Sequence, residues 1–235
     1  MSNSGKIYGI GVGPGDSDLL TVRAVRVLEK VDIVFAASST KNKYSHSLEI
    51  ASEFVRDDCE VVKLGYPMTR DKDVLREAWE ENCHIACDML KGGKTAAFLT
   101  LGDPLIYSTF GYMMQTMKMM CPEVEFEVVP GITSYQAAAA RSQQVLVESG
   151  QNLLLTSGVS DPEKFAKSLD NVDNAVILKA YRNFPELRDK VNEMDKMDVK
   201  FYTRLGLDGE AIYLDINEVP EKTNYLSLML LTAKK

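Results

Sequence analysis

The stretch Lys6-Ile7-Tyr8-Gly9-Ile10-Gly11-Val12-Gly13-Pro14-Gly15-Asp16 runs from apolar residues into a loop of glycines, and its reading decides the fold. Lys6 to Gly11 reads as a buried strand. Leu20, Val22, Ala24, Val27, Leu28 and Val31 follow at helical spacing in and just after Leu19 to Lys30. A strand, a tight loop and a helix make half of a βαβ unit, and the same alternation continues downstream. Strands are predicted at Asp32 to Ala37, Glu60 to Leu64, Thr95 to Leu101 and Phe126 to Val129. Helices are predicted at Leu48 to Val55, Asp71 to Lys91, Leu105 to Met120, and, after Pro130-Gly131, through Ala140. The run Thr95 to Leu101 is apolar enough for the centre of a parallel sheet. Repeated βα order predicts a mostly parallel, doubly wound sheet.

Beyond Gly150 the pattern changes. Asn152 to Thr156 and Ala175 to Lys179 read as strands with a helix between them, and Pro185 to Met194 as a further helix. Val199 to Thr203, Ala211 to Leu214 and Leu226 to Leu231 are short strands set close together. Leu207-Asp208-Gly209 supplies a hairpin turn. A mixed sheet with an antiparallel portion fits this half. The chain therefore reads as α/β in two domains, 1–130 and 131–235.

The 235 residues carry a formal net charge of −7, which argues against non-specific binding to nucleic acid or anionic membranes. An anionic small molecule needs only a local basic pocket. No segment approaches the ~20 apolar residues of a membrane span, and the polar start, Met1 to Lys6, lacks the apolar core of a signal peptide. A soluble, cytoplasmic protein is expected. Cys59, Cys83, Cys87 and Cys121 show no paired CxxC spacing and are read as reduced, buried thiols; no metal site is expected.

Three loops lie where strand gives way to helix, the position at which open α/β sheets bind ligands. The first is Gly11 to Asp16. It is not a dinucleotide fingerprint, because the sixth positions counted from Gly9 and Gly11 are Pro14 and Asp16. Gly93-Lys94-Thr95 mimics the end of a P-loop but precedes its strand, with Asp88 where the first glycine belongs. The second loop is Leu101-Gly102-Asp103-Pro104-Leu105-Ile106-Tyr107-Ser108-Thr109-Phe110. Asp103 is placed there to meet a ligand, or to cap a helix whose first residue is Pro104. The third is Val129-Pro130-Gly131-Ile132-Thr133-Ser134.

Taken together, the GxGPGD start, the GDP loop and the PGITS loop resemble the tetrapyrrole (corrin/porphyrin) methylase family over nearly the whole chain. The resemblance implies two α/β domains, a homodimer, and S-adenosylmethionine held mostly by backbone groups in a cleft between the domains, with the N-terminal domain on the substrate side. On these positions it implies cofactor contacts at Pro14, Leu101, Gly102, Asp103, Ile106, Tyr107, Ser108, Thr109, Thr133, Ser134, Leu178, Lys179 and Gly206. Tyr66 to Asp71 with Trp79, Lys179 to Phe184, Arg204 to Glu210 and Tyr225 to Leu228 are similar to the branch that methylates C20 of precorrin-2 or cobalt-precorrin-2 on the way to cobalamin. Ala180 departs from that branch, which has a larger apolar residue there.

The substrate implied is a small tetrapyrrole rich in carboxylates, for which Lys41, Lys43 and Arg70 are candidate contacts. Tyr107 and Tyr225 are the candidates for a base that takes the C20 proton; His46 and His84 read as surface or packed residues. Alternatives are a same-fold methyltransferase on another tetrapyrrole position or on a macromolecule, of the diphthine or ribosomal-RNA type, and a non-catalytic S-adenosylmethionine-binding module. The net negative charge weighs against RNA, and Pro67-Met68-Thr69-Arg70 weighs against both macromolecular substrates. A run of Met113, Met114, Met117, Met119 and Met120 is longer than one buried helix face requires and favours a dimer surface.

Overall fold

The computed structural model describes residues 4–39, 44–67, 69 and 71–234. The chain divides into two compact units, Met1–Thr133 and Ser134–Lys235.

The first unit is a five-stranded parallel sheet. Its strands are β1 (Lys6–Gly11), β2 (Ile33–Ser39), β3 (Glu60–Tyr66), β4 (Thr95–Thr100) and β5 (Glu125–Val129), in the order β3-β2-β4-β1-β5. Its helices are α1 (Val22–Leu28), α2 (His46–Ala51), α3 (Lys72–Met89) and α4 (Thr109–Met120). Side chains alternate across a strand. Ile7, Ile33, Phe35, Ala96 and Phe98 therefore share one face, where they form a core with α3 and α4 through Cys83, Ala86, Phe110, Met113 and Met117. The opposite residues Val34, Ala36, Ala97 and Leu99 are also buried, and α1 and α2 lie against β1, β2 and β4. The sheet is thus covered on both faces, as the near-continuous apolar strands predict. Residue 9 shows how sequence sets the packing. A Cβ at Gly9 would fall 2.6 Å from Cδ1 of Phe110, so the glycine is what lets this buried ring sit on β1.

The second unit opens with α5 (Ser134–Arg141). Its sheet contains β6 (Leu153–Ser157), β7 (Asn174–Leu178), β8 (Met197–Thr203), β9 (Ala211–Tyr213) and β10 (Ser227–Ala233), in the order β6-β7-β10-β8-β9. Only the β6–β7 pair is parallel. Two further helices, α6 (Pro162–Ser168) and α7 (Phe184–Asn192), complete it. Phe165, Ile177, Phe184, Leu187, Phe201 and Met229 form the core on one face, together with the fully buried Ala180. Ala138, Val176, Tyr202, Leu228 and Leu230 form that on the other.

The structure moves several predicted boundaries and overturns one reading of the cysteines. The helix predicted from Leu19 starts at Val22. The residues before it form a short 3-10 turn, Ser17–Leu19, and the Thr21 hydroxyl caps the new start by accepting the Ala24 N–H at 3.1 Å. The α2 helix begins at His46, two residues before the predicted start. Cys59 and Cys83 are free and buried, as expected. Cys87 and Cys121 are not reduced thiols: they form a disulfide joining α3 to the end of α4, across 34 residues of sequence. Parallel packing of α3 beside α4 brings them together, and linear spacing does not report it.

Candidate active site

Strands β4, β1 and β5 are adjacent and parallel, so the loops that follow them emerge side by side at the carboxyl edge of the sheet. The backbone of the first two loops pairs directly. Gly102 donates to the Gly13 carbonyl at 2.8 Å, Gly13 donates back at 3.4 Å, and Val12 N–H reaches the Thr100 carbonyl at 2.9 Å. The third loop is pressed against them. A Cβ at Gly131 would lie 2.7 Å from the Cα of Gly11, and one at Gly11 would lie 2.6 Å from the Cα of Gly131. These are backbone atoms, so neither position accepts a side chain without movement of a loop.

Asp103 joins the second loop to the third. Its Oδ2 accepts the Gly131 N–H at 3.1 Å, and its Oδ1 accepts the Leu105 N–H at 2.9 Å. The alternative in which Asp103 caps the next helix and Pro104 opens it does not hold. That helix, α4, starts at Thr109, and its cap is Ser108, whose Oγ accepts the Phe110 N–H at 3.1 Å. Residues 104–107 form an extra turn because Tyr107 sits in the left-handed region at φ 49°. Pro14, Leu101, Gly102, Asp103, Ile106, Tyr107, Ser108, Thr109 and Thr133 are thereby all carried by these three loops and the segments they open. Pro14, Gly102 and Thr133 are buried, whereas Tyr107 is exposed.

In the second unit, β7, β10 and β8 lie side by side, with Leu228 paired to both Leu178 and Tyr202. The ends of β7 and β8 flank the start of β10: Ala180 N–H reaches the Ser227 carbonyl at 3.3 Å, and Arg204 N–H reaches the Leu226 carbonyl at 2.8 Å. Lys179 and Arg204, the residues that follow these two strands, are both left-handed, with φ of 53° and 50°. Leu178, Lys179 and Gly206 are therefore on one edge of the second sheet, and Ser134 is the first residue of α5. The Gly206 N–H donates to Glu210 Oε2 at 2.7 Å, and Arg141 pairs with the same carboxylate. Arg141 first, and then the Gly206 N–H, hold the Glu210 carboxyl below its ordinary range against the opposing effect of burial.

Among the described residues, five non-glycine residues have positive φ: Tyr107, Gln143, Lys179, Asn183 and Arg204. Such a conformation costs about 1 kcal/mol or more each and clusters where function needs a particular backbone shape. Tyr107 and Lys179 are themselves predicted cofactor contacts, and Arg204 lies two residues from a third. Residue type does not announce this, since Tyr, Lys and Arg are not turn formers.

The two candidate bases lie in different units. Tyr107 follows the Asp103 turn, and Tyr225 sits 5.5 Å, centroid to centroid, from Tyr181. The Lys179 Nζ lies 5.8 Å from the Tyr225 ring, so a cation borders this pair of rings. His46 packs edge-on against Tyr44 with Nδ1 3.8 Å from Glu49, and His84 is exposed on α3. Lys41, Lys43 and Arg70 lie outside the described residues.

The chain is similar to known proteins over nearly its whole length. A relative in Methanocaldococcus jannaschii, described as a probable cobalt-precorrin-2 C(20)-methyltransferase, is 35% identical over 229 residues, covering 96% of this chain and 95% of its own. The cobalt-precorrin-2 C(20)-methyltransferase of Salmonella typhimurium is 31% identical over 92% of this chain and 90% of its own. The solved uroporphyrin-III C-methyl transferase of Thermus thermophilus, complexed with S-adenyl homocysteine, superposes with a TM-score of 0.70 at 22% identity. It covers 97% of this chain and 92% of that one. The model for Tetrapyrrole (Corrin/Porphyrin) Methylases matches residues 6–219, which include all three glycine-bearing loops and the ends of β7 and β8, and the chain belongs to that family.

Proposed function

We propose that the chain transfers a methyl group from S-adenosylmethionine to C20 of cobalt-precorrin-2, a step of cobalamin synthesis. The observation that carries the reading is the junction of the three loops at Gly11, Gly102 and Gly131, where their backbones pack directly against one another at the carboxyl edge of the first sheet. The 35% and 31% identity to relatives named for this reaction favours the cobalt-bearing substrate over the metal-free ring.

The donor brings a sulfonium, which is already an activated methyl source. The residues therefore have mainly to hold donor and acceptor carbon in line, an effect worth several kcal/mol of barrier. A backbone-lined edge suits that task, because its hydrogen-bonding groups are fixed before binding and lose little entropy. Pro14, Gly102, Asp103, Thr133 and Ser134 would hold the donor from the three loops and the start of α5. Leu178, Lys179 and Gly206 would hold it from the second sheet. Tyr107 or Tyr225 would take the C20 proton, and Lys41, Lys43 and Arg70 would meet the substrate's carboxylates. We read the enzyme as a cytoplasmic homodimer that binds neither nucleic acid nor membrane.

The test is transfer of labelled methyl under anaerobic conditions, run in parallel on cobalt-loaded and metal-free precorrin-2. The expected result is a faster reaction with the cobalt form and a product methylated at C20. Methylation at another ring position, or no transfer with tight binding of the donor, would overturn the reading.

A further inference from the structure

We propose that Glu210 is a positioning residue for the methyl donor, shaping the loop after β8 and tying that loop to α5. This rests on the donor reading above, under which Gly206 and Ser134 are contacts.

The segment between the paired residues Thr203 and Ala211 has a demanding backbone. Arg204, Gly206 and Gly209 are all left-handed, with φ of 50°, 73° and 77°. Hydrogen bonds within the segment bend it: Leu207 N–H to the Arg204 carbonyl at 2.9 Å, Glu210 N–H to the Leu207 carbonyl at 3.0 Å, and the Arg204 guanidinium to the Asp208 carbonyl. The Glu210 carboxylate then reaches back across the bend. Its Oε2 takes the Gly206 N–H at 2.7 Å, a short, charge-assisted bond that fixes the direction in which the Gly206 peptide faces.

The same carboxylate is gripped from the other side. Arg141 donates through Nε to Oε1 at 3.0 Å and through Nη2 to Oε2 at 3.3 Å, a two-pronged contact. Arg141 ends α5 and Ser134 begins it. One side chain thereby links the position of Gly206 to the helix that carries Ser134. The Arg141 side chain is 61% exposed, so the ion pair itself adds little to folding stability. The consequence of removing Glu210 should then fall on the shape of the loop, and through it on the donor.

The test uses the full chain. Affinity for S-adenosylhomocysteine is measured by calorimetry, steady-state constants with the tetrapyrrole substrate, and stability by thermal melt, for wild type, Glu210→Ala, Glu210→Gln and Arg141→Ala. Glu210→Ala should weaken product binding by about 10- to 100-fold, the range of a lost hydrogen bond to a charged group. It should raise KM for the donor while leaving kcat within about twofold, because the reacting centres are untouched. Glu210→Gln keeps an acceptor for the Gly206 N–H and should recover most of the affinity; Arg141→Ala should lie between. Wild-type binding with an unaltered Glu210→Ala affinity overturns the positioning role and leaves the donor reading standing. A large fall in melting temperature with no rescue by Gln assigns Glu210 a purely structural role and likewise overturns it. A wild-type protein that does not bind the product overturns the donor reading and this proposal together.

Discussion

Asp103 spends both carboxylate oxygens on backbone N–H groups, those of Leu105 and Gly131, and so works as a clasp between two loops. Asp103→Asn keeps one acceptor and sets an NH2 group against one N–H donor. Product affinity should fall by roughly 1–3 kcal/mol, the worth of a charge-assisted contact left unmade. Gly102→Val should do more, since φ 71° excludes a β-branched residue, although a Cβ there would meet only the Thr133 Cα, at 4.0 Å. Calorimetry with a thermal melt as folding control checks both; normal affinity in a well-folded Gly102→Val protein would show that this loop is not the donor site. Asp32 makes a similar clasp at the other edge of the sheet, accepting the Thr95 N–H at 2.8 Å and its hydroxyl at 2.9 Å. The Thr95 N–H first, then the hydroxyl, hold the Asp32 carboxyl below its ordinary range. A depressed carboxylate stabilises the fold above the unfolded-state pKa, and that stabilisation is lost as pH falls through the folded value. Asp32→Asn should therefore be less stable than wild type at pH 7, and the gap should narrow below about pH 4. Denaturant unfolding at both pH values reads this; a constant gap would refute it. Sequence placed Asp103 in the loop after β4 but could not name its partner, because Gly131 lies in a separate loop and only the parallel order β4-β1-β5 makes the two neighbours.

Elements were legible wherever a period or an apolar run was long. Strand β1 matches its predicted limits, and α3 starts one residue after Asp71, which caps it through the Asp73 and Val74 N–H groups. Helix α4 was less legible: the Gly-Asp-Pro signature looks like a helix start, but the left-handed Tyr107 delays it to Thr109. Its methionine run proves to be mostly core. Met113 and Met117 are buried, Met114 and Met120 pack against the same cluster, and Met119 alone of the five is strongly exposed, at 78%. The run is long because α4 packs against both the sheet and α3, so two sides of the helix need apolar residues. The Cys87–Cys121 bridge clamps these same two helices. Closing 34 residues of chain restricts the unfolded state by roughly 3–4 kcal/mol in the loop-entropy view. Dithiothreitol, or Cys121→Ser, should lower the melting temperature by several degrees, and the reductant should have no further effect on the variant. Equal melts with and without reductant in wild type would show the bridge to be absent in solution.

For the whole molecule, the methionines supply no argument for a dimer, and the expectation of one now rests on family membership. The chain mass is 26.2 kDa, so light scattering should give about twice that, near 52 kDa; a value near 26 kDa would count against it. No helix among the described residues is long and apolar enough to cross a membrane. The sequence by itself determined the architecture, a parallel doubly wound sheet followed by a mixed one. Those patterns are local, arising from period, apolar runs and loop glycines that adjacent residues state in full. It also marked the three loops that the proposed site uses. Tertiary structure alone decided which groups meet: Asp103 with Gly131, Glu210 with Gly206 and Arg141, Cys87 with Cys121, and the left-handed turns at Lys179 and Arg204 beside β10. These contacts join residues of different loops and helices or bend the backbone against its own preference. Strand order and packing across the sheet set them, and no stretch of neighbouring residues encodes either one.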